Sequence, residues 1–268
     1  MSSLYRPRSV ARISVEQSRA RRSVARDVYA EAPLRLVRPR NGGHSVWFFS
    51  TLLGPGFLGG DDVEVEVEVG EGAACYAGSV GVARAFAGAS RVRQRLRVRE
   101  GGLLVWAPEP LACGRGADLL AETEVDLEPG ASLLLIDTIG SGRPALGERW
   151  SFRRLRSSLR LRVAGEERLR EQIDLHPEEL PVARHFGPVE AFGLVCSLGP
   201  RGSEARGRWQ QARPRPGPEV TTHGAALGDE GGLLRVASTD VTSLNATTRE
   251  ALGDLASLLG DDPRTSRF

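Results

Sequence analysis

The chain has 268 residues, 40% of them apolar and 26% charged, with a formal net charge of +2. That composition supports a globular core and argues against a nucleic-acid binder; no apolar run approaches the roughly 20 residues that a bilayer-spanning helix needs. All 36 basic side chains other than histidine are arginine, which excludes mechanisms built on a lysine nucleophile, a Schiff base or a P-loop lysine. Cys75, Cys113 and Cys196 are odd in number and widely spaced, with no CxxC pair. This speaks against a disulfide framework or structural zinc and for a reducing, cytoplasmic setting.

In chain order, residues 1–30 are rich in arginine and serine, and Glu16 is the one acid among the first 26. They read as a basic, disordered arm before a single β-rich domain over 31–268, with a transit peptide as the other reading. Ser45–Leu53 is the first strand candidate. Gly54 to Gly59 matches GxGxxG, but Gly60, Asp61, Asp62 and an alternating strand follow instead of a helix, so a glycine-rich turn is expected and not a dinucleotide site. Val63–Val69 then alternates valine with glutamate, and Val92–Val98 repeats the pattern with arginine outward. This period of two marks half-buried strands, covered on one side. Further strands are expected at Leu103–Trp106, Glu122–Leu127, Ser132–Ile139, Leu155–Val163, Leu169–Leu175, Ala191–Leu198 and Leu233–Val236. Pro200–Pro218 reads as a long loop, and Asp261–Phe268 as a frayed end.

A short repeat runs through the strands. Gly72, Gly101 and Gly130 lie 29 residues apart, each ending a strand-turn motif: Val69-Gly-Glu-Gly-Ala, Val98-Arg-Glu-Gly-Gly and Leu127-Glu-Pro-Gly-Ala. Regular strand-turn units point to a mainly β fold, a layered or β-helical stack of hairpins; a β-sandwich with regular hairpins gives the same pattern. A C-terminal α-helix is expected to start at a Thr247–Glu250 capping box, to present Ala251, Leu252, Leu255, Leu258 and Leu259 as one stripe, and to end at Gly260 and Pro263.

Catalytic motifs are lacking: there is no HExxH, GxSxG or P-loop, and His44, His176, His185 and His223 show no ligand-like spacing. Sequence order alone does not exclude a Ser-His-Asp triad, yet no serine or cysteine sits in a nucleophile elbow. Asp137 is more informative, because it interrupts Leu133-Leu-Leu-Ile136 and Thr138-Ile139. A carboxylate buried there is costly unless it is paired or meets water or metal. An Asp137–Arg143 ion pair and a functional role both stay open. Carboxylates of this kind, Glu148 included, make weak and exchangeable ligands for a transition-metal ion.

Three ordered segments then carry a family resemblance. The first is Leu34–Pro39 followed by Gly54-Pro-Gly-Phe-Leu-Gly-Gly-Asp61; the second runs from Gln94–Val98 through Gly101–Pro110 to Leu127–Ala131; the third is Gly142-Arg-Pro-Ala-Leu-Gly-Glu148. Together they resemble the UreD/UreH family of urease accessory proteins, although Cys75–Arg84 and Ala112–Arg115 depart from its usual pattern. The resemblance implies a non-catalytic β scaffold with nickel in transit and no permanently bound cofactor. It implies a complex with an F-type accessory protein and a GTPase, docking on the urease apoprotein, and an internal water-filled channel. Asp61, Asp137 and Glu148 would then serve ion passage, Arg143 would orient them, and Gly59, Gly60 and Gly147 would shape the turns that hold them.

Overall fold

The computed structural model describes residues 8–203, 207, 209, 215–216 and 219–265. In chain order its strands are β1 (Ser9–Gln17), β2 (Ser23–Ala30), β3 (Leu34–Val37), β4 (Val46–Leu52), β5 (Asp62–Val69), β6 (Ala74–Ser79), β7 (Ala83–Ala85), β8 (Gly88–Val98), β9 (Leu103–Ala107), β10 (Leu111–Cys113), β11 (Ala117–Leu127), β12 (Ser132–Gly140), β13 (Gly142–Arg143), β14 (Glu148–Arg149), β15 (Arg154–Val163), β16 (Glu166–Leu175), β17 (Ala191–Leu198), β18 (Arg215–Pro216), β19 (Val220–Ala226) and β20 (Gly231–Ser238). The described residues also include helices α1 (Val182–His185), α2 (Val241–Ala251) and α3 (Leu255–Leu259) and short 3-10 turns.

Two large sheets form. The first has the order β16-β15-β11-β8-β5-β1-β2, the second β18-β19-β20-β17-β12-β9-β6-β4-β3. Strands β1, β5, β8, β11 and β15 are parallel neighbours, as are β4, β6, β9 and β12. The 29-residue repeat explains this. Each unit runs along the first sheet, turns a corner and returns along the second, and the next unit stacks on it. Gly72, Gly101 and Gly130 sit at the corners with φ of 63°, 64° and 73°, the left-handed region that glycine enters without a Cβ penalty. Hydrogen bonds continue from corner to corner: Arg99 N–H donates to the Val69 carbonyl at 2.8 Å, and Glu128 N–H to Val98 at 2.9 Å. The β-helical stack expected from the repeat is therefore present, with antiparallel hairpins at its margins in β1–β2 and β15–β16.

Alternation in the first sheet follows the expected rule. Val63, Val65, Val67 and Val69 point to the core, while the opposite face carries charge in register: Arg12 on β1, Glu66 on β5 and Arg95 on β8 are successive neighbours. The second sheet departs from the rule of one covered side. Its central strands β9 and β12 are buried on both faces: Leu104, Leu133 and Leu135 pack toward the first sheet, and Leu103, Val105 and Leu134 pack under Leu244, Leu252, Leu255 and Leu259 of α2 and α3. Runs of consecutive apolar residues, such as Leu103–Trp106, are the sequence signature of such doubly covered strands.

Two further expectations are corrected. Residues 9–30 are not a disordered arm: β1 pairs in parallel with β5 from Ser9↔Val63 to Val15↔Val69, and Ala11, Ile13 and Val15 are buried. A period-two stripe within an arginine-rich stretch was masked by its average composition; residues 1–7 lie outside the described residues. The C-terminal helical region starts earlier than Thr247. Asp240 caps α2 by accepting the Ser243 N–H at 2.7 Å, Gly253 at φ 80° breaks the run, and Asp254 caps α3. Gly260 ends it in the left-handed conformation, as expected. Within Pro200–Pro218 the described parts include a 3-10 turn at Pro200–Gly202, β18, and Trp209, whose indole N–H donates to the Ala251 carbonyl at 3.2 Å. The rest of that stretch, and the end of Asp261–Phe268 beyond Thr265, lie outside the described residues.

Candidate functional site

Between the two sheets lies a cavity of about 470 Å³. Val65, Gln94 and Thr123 line it from the first sheet and Trp106 and Asp137 from the second, and the segments 54–57 and 79–84 also border it. Strand register explains the polar lining. Val65, Gln94, Thr123, Leu159 and Glu171 form one row across β5, β8, β11, β15 and β16. On the second sheet Asp137, Leu194 and Arg235 form a row across β12, β17 and β20. Thr123 donates its hydroxyl to Gln94 Oε1 at 2.9 Å. Arg235 reaches from one sheet to the other and closes a bidentate pair on Glu171, at 2.7 and 2.8 Å. A polar layer thus crosses an otherwise apolar sandwich.

Asp137 shares the inward face of β12 with Leu133, Leu135 and Ile139. Burial, with a smaller contribution from the Glu171 charge, pushes its carboxyl up to about 6. Among the described residues no arginine or histidine forms an ion pair with it, and its charged form is correspondingly disfavoured. The expected alternative, an Asp137–Arg143 pair, does not form, because Arg143 is held by Glu148 through two contacts of 2.7 Å.

The other two candidate acids stand elsewhere. Asp61 is buried and its Oδ2 accepts the Leu58 N–H at 2.8 Å, folding the Leu58–Asp61 turn back on itself. Gly60 in that turn has φ 93° and donates its N–H to the Ala89 carbonyl at 2.7 Å, while Gly59 packs against Gly88, where a Cβ would meet the Ala87 carbonyl at 3.1 Å. The glycine-acid turn braces the start of β8. Glu148 joins β14 to β13: beside its Arg143 pair it accepts the Arg115 N–H at 3.3 Å, and these contacts hold its carboxyl below the usual range. Gly147, at φ 70°, closes the 3-10 turn Pro144–Leu146 between them. Of the three acids, Asp137 lines the cavity.

The thiols offer no nucleophile. Cys75, Cys113 and Cys196 are buried, which pushes Cys113 and Cys196 up to about 12 and Cys75 higher still. His176 lies 2.8 Å from Glu179, and no three His, Cys, Asp or Glu side chains converge on a metal position among the described residues. No helix among the described residues is long and apolar enough to cross a membrane.

Gln94, Thr123, Glu171 and Arg235 were not singled out from the sequence. The signal was present: in Val92-Arg-Gln94-Arg-Leu96 and Leu169-Arg-Glu171-Gln-Ile173 a polar residue occupies the phase that its neighbours give to apolar ones.

The chain matches the family model described as UreD urease accessory protein over residues 9–268, a span that includes β1 and β2. A urease accessory protein UreD of Sorangium cellulosum is 35% identical over 91% of this chain and 80% of its own length. The UreD of an Anaeromyxobacter strain is 35% identical over 87% of this chain and 81% of its own length. That of Opitutus terrae is 32% identical, covering 84% and 85% respectively. By the extent of the family match and the identity to these relatives, the chain belongs to the UreD family of urease accessory proteins.

Proposed function

We propose that the chain acts in urease maturation as a non-catalytic scaffold, carrying nickel as cargo toward the urease apoprotein within a cytoplasmic complex that includes an F-type accessory protein and a GTPase. Support comes first from the inter-sheet cavity and Asp137, a carboxylate without a cationic partner among the described residues. A divalent cation entering there supplies the charge that the site lacks. Binding of the cation displaces the Asp137 proton, so occupancy falls as the medium is acidified through about pH 6. Neutral oxygens from Gln94 and Thr123, hydrogen-bonded to each other, also line the cavity. Such a set holds a nickel ion weakly enough to release it. Asp61 and Glu148 keep the turns in shape, and their carboxylates are engaged in doing so.

The test is a deletion of the gene in its host, complemented by the wild type or by Asp137→Asn. Deletion should remove urease activity and urease-bound nickel while urease protein persists, and Asp137→Asn should restore neither fully although the complex assembles. Full nickel loading by Asp137→Asn would sink the route through Asp137 and leave a structural module that steadies the apoprotein without carrying metal.

A further inference from the structure

Leu146, at the tip of the β13–β14 hairpin, is 66% exposed, the highest value among the large hydrophobic residues described. Pro144, Ala145 and Gly147 around it are exposed as well. A lone surface leucine is ordinary; this one stands on a base fixed from several sides. Arg143 and Glu148 close a bidentate pair across the neck, and the Arg143 guanidinium lies 5.6 Å from the centre of the Phe86 ring. Trp150, just beyond β14, has φ 51°. Its indole N–H donates to the Val189 carbonyl at 3.0 Å and its ring packs 4.9 Å from that of Phe186. A bulky residue at positive φ costs free energy and persists only where its surroundings over-determine it. Here the braced segment ends in an apolar tip in solvent.

Two arginines stand near the foot of the hairpin. Arg84 and Arg115 are exposed. Arg84 has no carboxylate partner among the described residues, and the nearest carboxylate oxygen to Arg115, on Glu148 at 4.0 Å, is already engaged by Arg143. Arg84 also lines both the inter-sheet cavity and the crevice at the foot of the hairpin, next to Arg143. The foot of the hairpin therefore adjoins this border of the cavity.

We propose that Pro144–Leu146 is a preorganised docking knob that enters an apolar socket ringed by carboxylates on the urease apoprotein. The occupant is the apoprotein because the knob adjoins the cavity, beside which the recipient of the cargo must sit; the inference thus rests on the maturation reading above. A rigid apolar anchor loses little conformational freedom on binding, and its guanidinium rim selects an acidic surround.

The experiment titrates purified urease apoprotein onto the immobilised full chain by interferometry. Leu146→Asp should weaken binding about 30-fold, the scale of a lost interface anchor, with an unchanged unfolding midpoint, while Leu146→Met retains it. Arg84→Glu should weaken binding most at low salt, where the charge term is largest. Wild-type affinity in Leu146→Asp overturns the knob and leaves the maturation reading standing. Failure of the wild-type chain to bind the apoprotein overturns the knob; the maturation reading then stands or falls separately, on urease activity and nickel content in the deletion strain.

Discussion

Both large sheets are wound from the same 29-residue repeat, yet they treat charge in opposite ways. On the outer face of the first sheet Asp62, Glu66, Glu68, Asp118 and Glu122 are each paired with an arginine. Even Glu64, almost fully buried, has Arg8 at 2.7 Å and Arg95 at 2.5 Å. On the second sheet the central strands are apolar on both faces, and Asp137 sits on the inner one without an ion-pair partner among the described residues. The physical difference is solvent. The first sheet exposes a broad face where long arginine stems lie across the strands with their heads in water. The second is covered on one side by the first sheet and on the other by α2 and α3, so a charge there stays only if the fold tolerates its cost.

Substitutions can break this contrast. The largest effect is expected for Leu134→Glu, which places a carboxylate under the C-terminal helices at a fully buried position. A loss of about 4 kcal/mol or more, seen as failure to fold or a collapsed denaturation midpoint, is expected; near-wild-type stability would mean that the helices do not cover the sheet. Leu255→Ala, fully buried in α3, should cost about 2–5 kcal/mol by the cavity it leaves, measured by urea denaturation. Loss of the helical signal before the strands melt would show that α3 is a separable cover.

Asp137→Asn sharpens the comparison through pH. The folded protein keeps the Asp137 proton up to about pH 6, whereas the unfolded chain releases it near 3.8. Between those values the folded state binds more protons, so stability falls as pH rises and is flat above. Asp137→Asn should therefore stabilise the protein by on the order of 2–3 kcal/mol at pH 7.5 and by little at pH 3.5. Equal midpoints for both proteins at pH 7.5 would show that Asp137 is paired or hydrated in solution. The smallest effect is expected for Glu66→Leu on the outer face of the first sheet, whose partner Arg12 is exposed: its midpoint should stay within experimental scatter, and 1 M salt should hardly move it. A large shift there would make the charged ladder a structural element in its own right.

Much of this scaffold was legible in the residues. Val63–Val69 and Val92–Val98 announce half-buried strands by period alone, and the corner glycines announce the stack, because a left-handed turn leaves few other choices of residue. The stripe Ala11, Ile13, Val15 was hidden by arginine-rich surroundings, and the break at Gly253 by an apolar stripe that continues across it. At the site, Asp137 stood out as an acid in an apolar run. Glu171 and Arg235 did not, since a charge at an apolar phase acquires meaning only when the opposite sheet is known.

By itself the sequence determined the period of the strands, the corners of the coils, the lack of lysine chemistry and, through three ordered motifs, the family. Only the tertiary structure decided that Glu148 and not Asp137 takes Arg143, that Asp61 braces a turn, and that the polar residues of two sheets meet in one layer. Local patterns fix which side of a strand faces inward, because side chains alternate along it. What waits on that inner side belongs to residues far away in the chain, and packing alone brings them together.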